Sequence, residues 1–419
     1  MTATRPETAD DLVARLDTLF QGRGEELSDP YPLYQAMREH VPAAFAQDVL
    51  AVFRYDDVVA VLRDPATFSS TRMSGTRVRN LRERTPADQV PLLMDLVQNE
   101  SRMMNQVDQP DHTRLRALAN YAFTPRRIAV MQELVQALVD ELLDEALARG
   151  DEVVDIVPAL SYPLPYQVIT RMLGCSPERA EDVRLWSAEI GRAIGTGYSN
   201  IAEAHEALTA FRAYLQELIE EREVTPHDDL LGALVSAETE GVRLTKEELD
   251  AMFVLLLFAG HETTTNLIGN ALKALAVHPQ QRLVMLERPE DTTRAVEEFL
   301  RYCNSVHFIH RTAVADTVIA GTPVQAGQTV RCMIASGNRD ARVFDRADEL
   351  DLLRPRDPKH IGFGYGIHVC LGSWLARMEI QVAVETIVRR FPDYAVVGEV
   401  PMRPNLMLSG PEQLRLRLR

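Results

Sequence analysis

The sequence predicts a mainly α-helical protein with small β-sheets. Apolar residues recur at helical spacing in several long segments, the longest of which runs over residues 245–277. Short extended runs next to glycines, such as residues 317–320 and 329–334, predict strands. The 419 residues contain no linker, repeat or low-complexity run at which to divide the chain. We therefore expect one domain over residues 1–419, with 1–27 as a loosely ordered extension.

Composition and charge exclude several classes of protein. The chain is 46% hydrophobic and 25% charged, as is usual for globular proteins, and its net charge of −16 argues against nucleic acid as a partner. Residues 1–11 lack the apolar run of a signal peptide, and the longest apolar stretch, 251–260, is shorter than the about 20 residues that span a bilayer. We expect a soluble cytoplasmic protein without a membrane anchor.

The first third of the chain predicts short elements and then a long irregular segment. Residues 31–39 and 56–63 have helical periodicity, and residues 49–54 between them predict a strand at a sheet edge. Residues 70–104 are mixed and are predicted to be an irregular loop. Five arginines and one acid lie within residues 72–84. They could bind an anionic ligand, although solvated arginines explain the same pattern.

A helix predicted from Asp111 carries two cationic side chains on one face. His112 and Arg116 are four residues apart, so their side chains are neighbours on the helix surface. Two positive donors in this arrangement suit a carboxylate, while an exposed amphipathic helix is the alternative. The helical segments 128–149, 160–173, 201–223 and 228–237 that follow are predicted to be scaffold.

The segment 245–277 predicts a long buried helix with polar residues at its centre. Thr245 and Glu248 form a capping-box pattern, and the middle of the segment is apolar on all sides. Glu262 and Thr263 interrupt this apolar section, and buried polar groups need partners or a function. Thr263 can donate to the carbonyl of Ala259 and open the helix locally, which would admit oxygen and water. A polar turn in a kinked helix is the alternative.

The last third of the chain alternates helices with strands. Residues 289–302 predict a helix on which Glu298 and Arg301 can pair, and residues 306–313 predict a strand with His307 and Arg311 on one face. We expect His307 to turn toward solvent rather than toward a ligand. Residues 372–390 predict a long helix and residues 402–413 a hairpin.

Residues 363–372 wrap three glycines and a histidine around Cys370. Glycines allow positive φ and the close approach of a flat group. A cysteine thiolate below haem iron donates electron density that favours cleavage of the O–O bond. A buried, inert cysteine is the alternative. The other cysteines lie at 175, 303 and 332, too scattered for a zinc site or a disulfide framework.

The ten residues 363–372 fill every fixed position of the pattern FGxGxHxCxG, and the chain resembles the cytochrome P-450 superfamily of haem-thiolate monooxygenases. Three further motifs occur in the family's order, HxxxR at 112–116, AGxETT at 259–264 and ExxR at 298–301. The resemblance extends from about residue 28 to the C-terminus. It implies the cytochrome P-450 fold, with haem between the long central helix and the cysteine-ligand loop.

The resemblance implies a role for each motif. Cys370 is the axial iron ligand, Glu262 and Thr263 deliver protons to dioxygen, and residues 70–104 cover the substrate. Glu298 and Arg301 form a buried structural brace with Arg354 as its third member. The remaining residues implied to bind haem are Ala259, Gly364 and Gly372 beside it, Phe363 shielding the sulfur, and His112, Arg116, Arg311 and His368 at the propionates.

The implied activity is that of a haem b monooxygenase that hydroxylates or epoxidises a small organic molecule in bacterial secondary metabolism. Two electrons would come from a ferredoxin and a ferredoxin reductase, with docking near Arg114, Arg126 and Arg377. The substrate could be anionic or bound to a carrier protein. We expect the protein to be a monomer. The alternatives are a haem-thiolate peroxygenase or isomerase, and a non-catalytic haem sensor.

Overall fold

The structure is a computed structural model that describes residues 8–71, 75–225, 227–237 and 241–418. Its contacts group the chain into two compact units. The first comprises Met1–Phe68, Val135–Tyr162 and Thr263–Arg419, and the second comprises Ser69–Leu134 and Pro163–Glu262. Such a grouping is compatible with one domain over residues 1–419, which stays a prediction.

The described residues are mainly helical, as predicted. In chain order the α-helices are α1 (Ala9–Phe20), α2 (Tyr31–His40), α3 (Tyr55–Arg63), α4 (Gly75–Arg84), α5 (Val90–Ser101), α6 (Asp111–Ala122), α7 (Pro125–Ala148), α8 (Pro163–Met172), α9 (Ala180–Thr196), α10 (Ile201–Val224), α11 (Leu230–Ser236), α12 (Lys246–Val277), α13 (Pro279–Glu287), α14 (Thr292–Tyr302), α15 (Ile334–Gly337) and α16 (Ser373–Arg390).

The strands are short and form small sheets. They are β1 (Ala43–Ala46), β2 (Val49–Val52), β3 (Phe68–Ser69), β4 (Val153–Asp155), β5 (Ile309–Ala313), β6 (Thr317–Ile319), β7 (Thr322–Val324), β8 (Thr329–Cys332), β9 (Ala395–Val396) and β10 (Arg415–Arg417). The largest sheet has the order β1-β2-β8-β5-β3. Within it β2 runs parallel to β8, and β5 pairs antiparallel with β8 so that Arg311 lies opposite Val330.

The N-terminal segment is better ordered than the sequence suggests. Leu12, Leu16 and Leu19 of α1 are at most 1% exposed and belong to a core cluster with Tyr34 of α2. Because apolar residues recur on one face of α1, the helix can bury that face against the rest of the first unit. The expectation of a loosely ordered extension over residues 1–27 is therefore wrong for Ala9–Phe20.

In the second unit, most of residues 70–104 are helical rather than irregular. The prediction of a long loop is wrong because α4 and α5 form within it. Leu93 and Leu96 of α5 are buried, and Asp95 accepts a hydrogen bond from Arg212 of α10 at 2.7 Å. These tertiary contacts compensate for the weak helical periodicity of the segment. The four arginines after residue 74 lie on α4, whereas Arg72 is outside the described residues.

The long helix α12 begins and ends close to its predicted limits. The amide of Thr245 donates to Oε2 of Glu248 at 2.9 Å, and the amide of Glu248 donates to Oγ1 of Thr245 at 3.2 Å, which confirms the capping box. By length and composition α12 could cross a bilayer, and it is the only such helix among the described residues. However, 72% of its most apolar window is buried, as in the core helix of a globular protein.

Candidate functional site

The cysteine loop of the first unit is closed by its own backbone. The amide of Cys370 donates to the carbonyl of Phe363 at 3.0 Å, and Gly364 and Gly366 have φ of 75° and 74°. At Gly366 a Cβ would lie 2.5 Å from the carbonyl oxygen of Leu62, so any larger residue would displace the loop. The loop therefore presents Cys370 just before the N-terminus of α16, where the helix dipole favours a thiolate.

Burial disfavours the thiolate form of the other three cysteines. Burial raises the pKa of Cys175, Cys303 and Cys332 to about 12 in each case, which keeps these thiols protonated at neutral pH. Cys303 and Cys370 are both half-buried by accessible surface, but only Cys370 lies in the glycine loop. The glycine loop therefore sets Cys370 apart from the other three cysteines, and its role as a metal ligand stays a prediction.

Several predicted haem-binding residues of the first unit lie in or near this loop. Phe363, Gly364, His368 and Gly372 belong to the loop itself, and the side chain of His368 is half-buried. Arg311 lies on β5, where its side chain is 7% exposed and donates to the carbonyl of His310 at 2.8 Å. The pairing of β5 with the central strand β8 fixes the position of Arg311.

In the second unit, α6 holds the predicted HxxxR pair. His112 is 2% exposed and Arg116 is half-buried, so this face of α6 is not the exposed face of an amphipathic helix. Arg114 lies between them in sequence. Both of its terminal nitrogens instead donate hydrogen bonds to the carboxylate of Glu248. Just before α6, Asp108 accepts a hydrogen bond from the amide of Ser70 at 2.8 Å, a contact that the sequence did not predict.

The polar centre of α12 is only partly buried. Ala259 is exposed although Leu257 and His261 on either side are buried, and Glu262 and Thr263 are half-buried. His261 packs against the ring of Tyr166 with 5.6 Å between ring centroids. The helix is continuous through this section, so the local opening predicted from Thr263 stays a prediction.

The predicted brace of the first unit is present. Arg301 donates to both carboxylate oxygens of Glu298 at 2.8 Å, and the Nε of Arg354 lies 3.1–3.2 Å from the same oxygens. Glu298 and Arg301 are at most 3% exposed. The pair is therefore buried and structural, and Arg354 is confirmed as its third member.

A second charged cluster, which the sequence did not predict, supports the cysteine loop. Glu297 accepts hydrogen bonds from Nε and Nη2 of Arg377 at 2.5 and 3.1 Å and lies 3.0 Å from Nε2 of His360. The guanidinium of Arg377 stacks 4.5 Å from the ring centroid of Phe363. In the sequence, the only indication of this cluster is that Glu297 directly precedes the glutamate of the ExxR motif. Its partners lie 63 and 80 residues away, so spacing along the chain could not identify them.

We expect Glu297→Gln to lower the free energy of unfolding near neutral pH. We also expect this free energy to depend less on pH in the acid range than it does in the native protein. Burial alone would raise the pKa of Glu297, but His360 and Arg377 outweigh it and lower that pKa from 4.5 to about 2. The ionised carboxylate thus stabilises the native state above about pH 4.5, and this contribution is lost as the pH falls toward 2. Urea titrations at several pH values would show it. Glu290→Gln, at an exposed position, is the matched control, and an unchanged pH profile would contradict the assignment.

His307 is buried rather than directed to solvent, so the expectation for it is wrong. It is 2% exposed, its Nδ1 lies 3.2 Å from the hydroxyl of Tyr34, and its ring packs against Tyr31. Burial lowers the pKa of His307 to about 3, which keeps the imidazole neutral. The residue belongs to the aromatic core near α2, which its strand periodicity alone could not reveal.

Comparison with known proteins identifies the family. The family model "Cytochrome P450" matches residues 197–409. The chain is 36% identical to the cytochrome P450 monooxygenase PikC of Streptomyces venezuelae, covering 94% of this chain and 92% of that protein. It is 34% identical to the polyketide biosynthesis cytochrome P450 PksS of Bacillus subtilis, covering 96% and 98% respectively. The solved structure of P450BioI with a fatty-acid-ligated acyl carrier protein matches with a TM-score of 0.83 at 31% identity, covering 94% and 100%.

The fold and these matches define a haem-dependent oxidoreductase of the monooxygenase class. The chain belongs to the cytochrome P450 family, whose members use haem b, receive electrons from redox partners and act on small substrates. The residues present fit this cofactor. The glycine loop leaves open space at Gly372, where a Cβ would meet no atom within 4 Å, and Cys370 lies two residues earlier.

Proposed function

We propose that the protein hydroxylates or epoxidises a small organic molecule of bacterial secondary metabolism, with Cys370 as the axial ligand of haem b. The observation that carries this proposal is the closed glycine loop that presents a half-buried cysteine before α16. When bound, haem supplies the one-electron and dioxygen chemistry that no protein side chain provides.

The other motif residues have complementary roles in this proposal. Arg311 and His368, together with His112 and Arg116, provide positive or hydrogen-bonding groups for the propionates. Phe363 shields the sulfur, and Ala259, Gly364 and Gly372 leave room for the ring. The hydroxyl of Thr263 and the carboxyl of Glu262 hold and transfer protons.

The proposal includes external electron donors, a ferredoxin and its reductase, in the cytoplasm, and a monomeric enzyme. Of the arginines predicted to dock the donor, Arg114 pairs with Glu248 and Arg377 with Glu297. The side chain of Arg126 is outside the described residues. A substrate tethered to a carrier protein remains within the proposal, and the acyl carrier protein in the P450BioI structure supports this option.

The decisive test compares spectra and stoichiometry. The reduced protein with carbon monoxide should show the red-shifted Soret band of a thiolate-ligated haem, and a substrate should be consumed with equal amounts of dioxygen and product. Turnover with peroxide alone, or isomerisation without dioxygen, would favour a peroxygenase or isomerase. Ligand binding without any reductant consumption would favour a sensor.

We expect Thr263→Ala to uncouple reductant consumption from product formation. Loss of the hydroxyl removes a positioned proton donor, and such groups contribute about 10²–10⁴-fold to a rate. The ratio of product to reductant consumed should fall at least about tenfold, while the thiolate spectrum remains. Thr264→Val is the control, because Thr264 is buried one position further along and has no proposed role. Equal coupling in Thr263→Ala and the native enzyme would exclude this role.

A further inference from the structure

The first unit contains a cavity of about 470 Å³ beside the cysteine loop. Its lining comes from α14, from residues 354–360, from the cysteine loop and from the start of α16, together with Phe344. Neither Cys370 nor Arg311 nor His368 is among its described lining residues. The cavity thus shares Phe363 and Gly364 with the cysteine loop, while Cys370 and the groups of this unit proposed for the propionates lie outside its described lining.

The cavity concentrates positive charge in an acidic protein. Six arginine or lysine side chains contribute to the described lining, against two carboxylates, whereas the whole chain carries a net charge of −16. A concave site lined by one sign of charge focuses the electrostatic field and attracts counter-ions. This distribution is the opposite of what the overall composition would produce on average.

The two carboxylates of the lining are already neutralised by other partners. Glu298 is bound by Arg301 and Arg354, and Glu297 is bound by Arg377 together with His360. These groups therefore form a closed set of ion pairs in the wall of the cavity. The remaining lining cations have no share in them.

Three lining cations remain, and one of them, Arg294, lies 3.4 Å from Asp291 and donates to the carbonyl of Arg354. Arg356 and Lys359 are therefore the cations left for a ligand. Both side chains are exposed, and neither forms an ion pair with a carboxylate of the described residues. Nη2 of Arg356 donates to Oγ1 of Thr293 at 2.7 Å, which orients the guanidinium at the cavity wall and leaves its other N–H groups available. A guanidinium fork beside a lysine ammonium is a favourable partner for several phosphate oxygens.

We propose that this cavity binds a small phosphate-bearing molecule, with Arg356 and Lys359 as its main contacts. The volume accommodates a phosphate group with an organic substituent, so an organic phosphate is the expected natural ligand. This site is additional to the monooxygenase site and does not depend on the identity of the oxidised substrate.

Calorimetric titration of the haem-loaded full-length protein with inorganic pyrophosphate, at constant ionic strength, tests the proposal. We expect one saturable site whose Kd rises at least about tenfold in the double variant Arg356→Gln, Lys359→Gln. The matched control, Arg23→Gln with Arg149→Gln, removes two exposed charges elsewhere in the first unit and should leave Kd unchanged. Lys359→Arg should retain binding because it retains the charge.

Three results would overturn the proposal. One is the absence of saturable binding, and another is an equal loss of affinity in the control variant, which would indicate non-specific attraction. The third is a combination of two observations: the native protein binds no pyrophosphate, and the double variant Arg356→Gln, Lys359→Gln is reduced more slowly by a ferredoxin. The two cations would then bind a protein partner rather than a phosphate. Because binding is measured directly, these results are independent of whether the protein shows monooxygenase activity.

Discussion

Cys370→Ser is expected to abolish the thiolate signature of the haem and nearly all monooxygenase turnover. Residues that merely support a metal ligand contribute about 10–100-fold to affinity or activity, so loss of the ligand itself should cost more than about 100-fold. A serine hydroxyl is a poor donor at neutral pH and cannot supply the electron density of a thiolate. The readouts are the position of the Soret band of the reduced carbon monoxide complex and the rate of product formation.

Cys332→Ser is the control for this experiment. Cys332 is fully buried on β8, and its raised pKa keeps it a thiol, so its replacement should leave the Soret position unchanged even if it lowers stability. If the variant at Cys370 retained the red-shifted band, a different residue would be the ligand. The proposed monooxygenase chemistry would then lose its main support.

Glu298→Gln should destabilise the protein by about 3–5 kcal/mol, because removing one partner of a buried ion pair leaves the other charges uncompensated. Here the neutral amide would face two guanidinium groups, those of Arg301 and Arg354. Glu298 also accepts a hydrogen bond from the amide of Asp351 at 2.9 Å, which ties the segment after α15 to α14. Urea-induced unfolding followed by far-ultraviolet circular dichroism measures the change.

The comparison variant is Glu349→Gln. The side chain of Glu349 is 61% exposed and pairs with the exposed Arg346 at 3.1 Å, and such surface pairs contribute about 0–1 kcal/mol. A loss of similar size in both variants would mean that burial does not distinguish the two pairs. A small loss in Glu298→Gln alone would show that water or rearrangement compensates for the missing carboxylate.

Local patterns in the sequence were sufficient to predict many of the helices and one of the buried ion pairs. The limits of α2, α12 and α16 follow from helical periodicity and caps, and the ExxR pair follows from a spacing of three residues. These features depend on residues within one or two turns of each other. The predicted hairpin near the C-terminus is also present, with the amide of Arg403 donating to the carbonyl of Gly410.

The errors in prediction share one cause, namely packing between distant segments. The helices α4 and α5 were predicted as loop because their own periodicity is weak, yet Asp95 of α5 is held by Arg212, which lies 117 residues later. His307 was expected in solvent, yet Tyr34 contacts it from 273 residues earlier. The order of α1 depends in the same way on a core that the rest of the first unit supplies.

The class of chemistry follows from the amino-acid sequence, because the glycine loop around Cys370 and the other motifs are local patterns. The burial of each charge and the identity of its neighbours became known only from the folded chain. It joined Glu297 to Arg377 and His360, and it left Arg356 and Lys359 at a cavity wall. Burial and pairing depend on contacts between residues far apart in the chain, and sequence periodicity does not report such contacts.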